Sequence, residues 1–560
     1  MFNQRNYYRY TYLGILLFFL IQLTACNKNK TKDGKEAANE KTSIKTDSAF
    51  IENYLKQEPK LKKHRATTML FYRTRGYRLG WFKNDKIVPQ ANTFLQVINK
   101  ATREGLNPED YKVKDFKALF AQYEAAKQDS VKHRLQQEID VALSAAYFNY
   151  ASDFYRGTVN PRELDNIEWS VKRNKIKLHK ALQTILRERS SRYPYYQFEP
   201  LHEEYNQLRT ALAQYREIRK NGGWPKITNV KSNLQVGQKS PAVPLLRQRL
   251  LPANKIKPNN PDSLVYDTEL DNAVKDFQER HGLKPDGKLN KETLRMMNVS
   301  LDDRIDQIII NMERWRWIPK PKEMERKHIF VNIPEFMLYA KDKGKSVFHM
   351  RVIVGKVMNS TPIFSDKLEY IVFSPYWYVP FSIIQNEMMP HLLADPGWLE
   401  RMDMEVVQGS GKNAVPVDPH SIDWGSITKE NFKYMIRQRP GPKNPLGDVK
   451  FIFPNEHEVY LHHTAAAELF NQTQRGFSHG CIRVEKPVQL AQFLLEGKLQ
   501  WNEQTIEEAM HAGTEQYENL PEKIPVYIVY FTSWVDDKGR VHFRDDIYGH
   551  DKELEKEYFN

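Results

Sequence analysis

The residues with chemistry to offer gather late in the chain. In RGFSHGCIRVE, Arg475 to Glu485, Cys481 is one of two cysteines among 560 residues, the other being Cys26. A thiol attacks as the thiolate, and a nearby imidazole can take its proton because the two groups titrate within about two units of each other. Three histidines are candidates: His479, two positions before the cysteine, and His462 and His463 in the upstream YLHHT. Gly480 leaves room for a carbonyl to approach the backbone, where N–H groups can hold a developing oxyanion. Zinc is a rival use of the same side chains. If YLHHT is a strand, however, His462 and His463 point to opposite faces, so a shared ion is disfavoured and no metal or other cofactor is expected. An inert buried thiol is the other reading of an isolated cysteine.

Such a cluster needs rigid elements around it. From about residue 326 the hydrophobic period is two. HIFVNIPEFMLYAKDKGKSVFHMRVIVGK reads as strands joined by a turn at Asp342 to Gly344, and LEYIVFSPYWYVP as a strand ended by proline. FIFPNEHEVYLHHT and IPVYIVYFTSWVDDKGRVHF are later strands, and KPVQLAQFLLEGKL is a helix. Between about 381 and 449 the alternation fades and SIIQNEMMPHLLADPGWLERM looks helical, so a helical insertion is expected there. The β-rich region then covers 326–532, followed by a C-terminal extension over 533–560.

Before it the period is 3.6. Phe94, Val97, Ile98 and Ala101 share one face, as do Leu135, Ile139, Ala142, Ala146 and Tyr150, so 51–228 is read as a helical scaffold punctuated at Gly105 and Gly157. Residues 229–300 form a smaller unit of three helices. Val243, Leu246 and Leu250 line the first, Leu270, Ala273, Val274 and Phe277 the second, HGLKPDG stops that helix at Gly282, and Asn290 caps the third. Residues 301–325, containing MERWRWIPK, read as a linker helix. The expected fold class is a multidomain α+β protein: helical scaffold, three-helix domain, and mainly-β domain with a helical insertion.

At the N-terminus, Arg5 and Arg9 precede the apolar run LGILLFFLIQL, short for a membrane span but suited to a secretory signal over residues 1–25. LTAC, Leu23 to Cys26, resembles a bacterial lipoprotein signal, which implies lipid on Cys26 and a membrane anchor. The Lys-rich residues that follow, to about 50, read as a flexible tether. Lys+Arg 84 against Asp+Glu 70 leaves +14. Export makes nucleic acid an unexpected partner, and lipid on Cys26 would leave Cys481 without an intramolecular disulfide partner, although the compartment is oxidising.

Two resemblances join these pieces. AVKDFQERHGLKPDG is similar to the peptidoglycan-binding domains of wall enzymes. YLHHT followed by FSHGCIRV, with fifteen residues between His462 and Ser478, resembles the signature of the L,D-transpeptidase catalytic-domain family; RVIVGK, STPIFS and SPYWYVP extend the likeness over 326–532. With the scaffold, the wall-binding-like domain and the insertion, the order resembles that of the large Gram-negative members. The resemblance implies Cys481 as nucleophile and His462 as general base and later acid. Tyr460, on the same strand face as His462, Gly480 and the Cys481 N–H are implied as oxyanion support. Ser478, His479 and Arg483 are implied to hold the loop and meet substrate carboxylate. It further implies peptidoglycan stem peptides and glycan as partners, carbapenem-type β-lactams as covalent inhibitors, a periplasm-facing envelope location, and cross-linking through a cysteine thioester. A thiol-dependent L,D-carboxypeptidase, an enzyme that detaches proteins from the wall, and a non-catalytic wall-binding lipoprotein are the alternatives.

Overall fold

A computed structural model describes residues 44–164, 169–170, 176–187, 202–228, 234–250, 260, 262–321 and 324–559. Cys26, residues 1–25 read as a signal and most of the stretch read as a tether lie outside them. Among the described residues, no helix is long and apolar enough to cross a membrane. The chain divides into two compact units, the first built from the stretches up to Thr102, Asn107–Ser152 and Lys177–Glu199, the second from Arg103–Leu106, Asp153–Ile176 and Pro200–Asn560.

The first unit is helical. It contains α1 (Ser48–Gln57), α2 (Arg65–Thr74), the short hairpin β1 (Phe82–Lys83) and β2 (Lys86–Ile87), α3 (Pro89–Asn99), α4 (Val113–Ala125), most of α5 (Asp129–Arg156) and α6 (Leu178–Arg187). The faces read from the sequence are inside: Phe94, Ile98, Leu135, Ile139 and Ala142 are all buried. A buried carboxylate, Asp140, organises the turn before β1 by accepting from the Gly80 and Trp81 N–H groups at 3.0 and 2.6 Å and from the Tyr72 hydroxyl at 2.6 Å. Burial raises its pKa to about 6, against the pull of those donors.

The second unit departs from the sequence reading in four places. The end of the helical region packs in this unit, where α7 (Glu203–Lys220) buries Tyr205, Leu208, Ala211 and Leu212 in one core with Ile305, Ile308 and Ile309. Periodicity identifies a helix but not the core it joins. The small domain then follows as α8 (Val243–Leu250), α9 (Thr268–Arg280) and α10 (Lys291–Met297), with Asn290 accepting the Thr293 N–H at 2.8 Å as its cap. The second departure is α11 (Leu301–Trp317), expected as a linker and found as a central strut. Its charged residues look exposed in sequence, yet Glu313, Arg314 and Arg316 are buried because Arg316 pairs with Glu313 at 2.8 Å and Arg314 with Asp551 at 2.6 Å.

The β region closes on itself. β3 (Lys327–Asn332), β4 (Met337–Asp342), β5 (Lys345–Gly355) and β6 (Ser365–Phe373) join β11 (Val449–Ile452), β12 (Leu461–His462), β13 (Gly476–Ser478), β14 (Ile482–Val484) and β15 (Gln516–Val529) in the order β13-β5-β14-β12-β11-β6-β15-β3-β4. β4 also pairs with β5, so eight strands form a ring with β13 attached to β5. The turn into β5 uses Lys343 and Gly344, both at positive φ (50° and 76°), where the sequence placed it. Helices α12 (Pro487–Leu494) and α13 (Glu503–Met510) add Leu490, Leu494 and Ile506 to the core.

Third, the insertion is mixed rather than helical. Short helical turns over Phe381–Arg401 are followed by β8 (Met404–Gln408), β9 (Val415–Val417) and β10 (Met435–Gln438), which with β7 (Trp377–Tyr378) make a sheet in the order β7-β10-β8-β9. Its Gly- and Pro-rich connections hid three short strands. Fourth, the C-terminal extension belongs to the core. β16 (Ser533–Val535) and β17 (Val541–Phe543) form a hairpin, and α14 (His550–Tyr558) lies on α11, held by the Asp551 carboxylate and the buried Leu554.

Candidate active site

The parallel pair β12 and β14 builds the site. Leu461 pairs with Ile482 and His462 with Arg483, and the Ile482 N–H donates to Tyr460 O at 3.1 Å. Leu461 and Ile482 are both fully buried in the core. Alternation therefore turns Tyr460, His462, Cys481 and Arg483 to the opposite face, side by side.

Cys481 is free and half-buried. The Tyr460 amide and hydroxyl lie beside its sulfur, and the thiol faces Glu458 O at 3.9 Å. Burial pushes the thiol pKa up, with Glu458 adding to it, while the Tyr460 donors and the Arg483 charge oppose the rise without cancelling it. The resting group is a thiol. Burial likewise keeps the Tyr460 phenol protonated by pushing its pKa up, and the neighbouring Cys481 adds to the effect.

His462 is buried, and its Nδ1 lies 2.6 Å from His463 O. A carbonyl only accepts, so Nδ1 carries the proton toward His463 O, and the Leu446 carbonyl is a second backbone partner of the ring. Burial, then the Arg483 charge, push its pKa down to about 3. Among the described residues no hydrogen bond joins His462 to Cys481, so the pair rests as neutral thiol and neutral imidazole. Arg483 is half-buried, its Nε buried without a partner, and it makes no ion pair among the described residues. Its positive charge faces Cys481 and His462 unneutralised.

His463 faces away. Its Nδ1 lies 3.1 Å from Asp448 Oδ2, and Gly447 at φ +61° passes so close that a Cβ there would lie 2.7 Å from that ring nitrogen. His479 is exposed, its Nε2 3.1 Å from Glu387 Oε1 on a π-helical turn of the insertion. Ser478 is buried, donating to Cys481 O at 2.5 Å and accepting the Gly480 N–H at 3.1 Å. This corrects one expectation: the tight turn at Gly480, φ +117°, spends the Gly480 N–H on Ser478, so it is not an open oxyanion donor here. The Cys481 N–H, which no hydrogen bond among the described residues uses, and the Tyr460 hydroxyl remain.

Three residues that the sequence reading left without a role bear on this loop, two by contact and one through Gly355 and Thr361. Glu387 is one. Thr361, in the STPIFS segment, donates through Oγ1 to Gly480 O at 2.8 Å, and Tyr548, in the C-terminal extension, donates to Gly355 O at 2.6 Å. A cavity of about 610 Å³ opens beside Gly480, with Asn359, Thr361, His457 and His550 in its wall. STPIFS was legible as part of a resemblance; nothing in the sequence near Tyr548 signalled a link to Cys481.

Comparison with known proteins follows the same division of the chain. Residues 326–528 match the family described as "L,D-transpeptidase catalytic domain", residues 239–297 that described as "Putative peptidoglycan binding domain", and residues 66–212 a "Scaffold domain". A curated protein of Haemophilus influenzae, described as "Putative L,D-transpeptidase", is 34% identical over 248 residues, which cover 44% of this chain and 48% of that protein. The match thus spans about half the length of the curated relative. Among solved structures, an L,D-transpeptidase from Xylanimonas cellulosilytica is 15% identical over 54% of this chain and 100% of its own, with a TM-score of 0.17. One from Mycobacterium smegmatis is 9% identical over 36% and 58%, with a TM-score of 0.18. Superposition at such scores carries no argument, whereas the sequence matches do: residues 326–528 are similar to the L,D-transpeptidase catalytic-domain family and residues 239–297 to the peptidoglycan-binding domain family.

Proposed function

We propose that the protein is a cysteine-dependent acyltransferase that forms peptidoglycan cross-links between stem peptides. The observation that carries the reading is the shared face of Tyr460, His462, Cys481 and Arg483 on β12 and β14. In this reading Cys481 attacks the carbonyl between the L-centre of a diamino acid and a terminal D-alanine. His462 Nε2 takes the thiol proton as the C–S bond forms; the developing thiolate and oxyanion raise the imidazole's proton affinity above its resting value. The Cys481 N–H and Tyr460 hydroxyl receive the oxyanion. Protonated His462 then delivers its proton to the departing D-alanine amine, leaving a thioester. An amine of a second stem attacks that thioester, gives its proton to His462, and the sulfur leaves as thiol. Arg483, the free cation on this face, is suited to a substrate carboxylate.

The insertion meets the nucleophile loop through Glu387 and His479, an arrangement suited to keeping water from the thioester and so favouring transfer over hydrolysis. The helices at 239–297 would hold glycan, and the N-terminal signature would place lipid on Cys26, tethering a periplasm-facing body to a membrane. The test is incubation of purified protein with muropeptides: 3→3 cross-linked products are expected from the native protein and none from Cys481→Ala. A covalent carbapenem adduct, seen as a mass increase on the intact native protein and absent from the same variant, is the companion result. Free tripeptide without cross-links, even with acceptor in excess, would replace transferase by carboxypeptidase; neither product nor adduct would leave only a wall-binding role.

A further inference from the structure

We propose that Tyr548, beyond the matched catalytic region, is a positioning residue that sets the direction of the Cys481 N–H by way of Thr361. The inference rests on the reading of Cys481 as an acyl-transfer nucleophile.

Gly480 C=O and Cys481 N–H belong to one planar trans peptide, so whatever holds the oxygen fixes where the N–H points, on the opposite side of the plane. The oxygen is held by Thr361 Oγ1 at 2.8 Å. That hydroxyl is itself oriented, since it accepts the Gly355 N–H at 2.9 Å and Thr361 is buried. Tyr548 completes the arrangement: its hydroxyl donates to Gly355 O at 2.6 Å and accepts the Thr361 N–H at 3.3 Å. Gly355 is thus tied at both its amide and its carbonyl. No side chain fits there, since a Cβ would lie 2.0 Å from Asn359 O. Burial pushes the Tyr548 pKa up, so its donor persists at neutral pH.

Tyr548 has its own anchor. Its N–H donates to the Tyr530 hydroxyl at 2.9 Å, Tyr530 donates to Asp546 Oδ1 at 2.7 Å, and the two rings stack 5.8 Å apart. The other Asp546 oxygen accepts the Asp551 N–H at 2.9 Å, and Asp551 is paired with the buried Arg314 of α11. A chain of polar contacts therefore runs from the core of the unit to the peptide of the nucleophile. Because Ser478 already occupies the Gly480 N–H, the Cys481 N–H is the backbone donor whose aim matters, and donor aim counts within tens of degrees.

Two reactions of Cys481 separate aim from mere folding. Acylation by a carbapenem passes through a tetrahedral oxyanion, whereas alkylation by iodoacetamide displaces iodide and forms none. In the full chain, Tyr548→Phe and Thr361→Val are expected to slow acylation by about tenfold, less than the hundredfold or more lost with an oxyanion donor itself. Alkylation should stay within about twofold of the native rate, and Thr361→Ser, which keeps the hydroxyl, should acylate like the native protein. If Thr361→Val does not fold, Tyr548→Phe and Thr361→Ser still decide. Native acylation rates in Tyr548→Phe, or equal slowing of both reactions, would overturn the proposal. A native protein that alkylates but is never acylated would instead remove the reading of Cys481 on which it stands.

Discussion

At the scale of the residue, the site holds a protonated thiol, a neutral imidazole and an unpaired guanidinium on one sheet face. Alkylation of Cys481 should therefore rise with pH to a midpoint above the ordinary thiol range, because burial favours the uncharged form. Arg483→Ala removes a charge that stabilises the thiolate, so the midpoint should move higher still and the rate at neutral pH fall; iodoacetamide kinetics between pH 6 and about 11 read both. An unchanged midpoint in Arg483→Ala would mean that the guanidinium is screened from the sulfur. Cys481 and His462 stood out in the sequence because thiol, imidazole and glycine at that spacing have few uses. The engagement of the Gly480 N–H by Ser478 did not, because which amide a hydroxyl takes depends on the turn.

At the scale of the element, α11 and its neighbours carry the strain and the buried charge. Gly157 has φ +88°, and a Cβ there would lie 2.3 Å from Glu313 Oε1 and 2.5 Å from Trp317 Nε1. Gly222 has φ +98° with nothing within 4 Å. Gly222→Ala should cost only the backbone strain, about 1–2 kcal/mol, and Gly157→Ala several kcal/mol, measured as urea midpoints at a shared slope. Equal losses would show that α11 yields at no cost. On α14, burial first and then Asp551, Asp306, Asp546 and Asp303 raise the Glu555 pKa from 4.5 to about 7. The folded state thus binds a proton that the unfolded chain has released, and stability should fall as pH rises from 4.5 to about 7. Glu555→Gln should flatten that part of a melting-temperature profile; an unaltered slope would assign it to other groups. The helices, their faces and the strand alternation were legible because each is a local period. The three short strands of the insertion were not, since β10 pairs with the distant β8 and β7, and β9 is a three-residue edge strand held only by β8.

At the scale of the whole molecule, the small domain is docked onto the C-terminal hairpin of its unit. Arg540 pairs with Asp276 and Glu279 at 2.8 and 3.0 Å, Arg295 with Asp545 at 2.6 Å, and Arg544 lies over Gly282 while donating to Arg280 O at 2.9 Å. Replacing both Arg295 and Arg540 with Ala should speed hydrogen exchange in β17 and at the exposed end of α9 together, leaving the domain's own core around Val274 and Phe277 protected. Exchange unchanged at β17 would mean that the apolar contact of His281 with Phe543, rings 5.7 Å apart, suffices alone. The sequence by itself determined most of the element types, the order of the matched regions and the candidate pair Cys481 and His462, because hydrophobic period and motif spacing are properties of neighbouring residues. Only the tertiary structure decided which unit α7 joins, that α11 is a strut, and that the last residues of the chain reach the peptide of Cys481. Those depend on burial and hydrogen bonds between residues hundreds of positions apart, on which local pattern is silent.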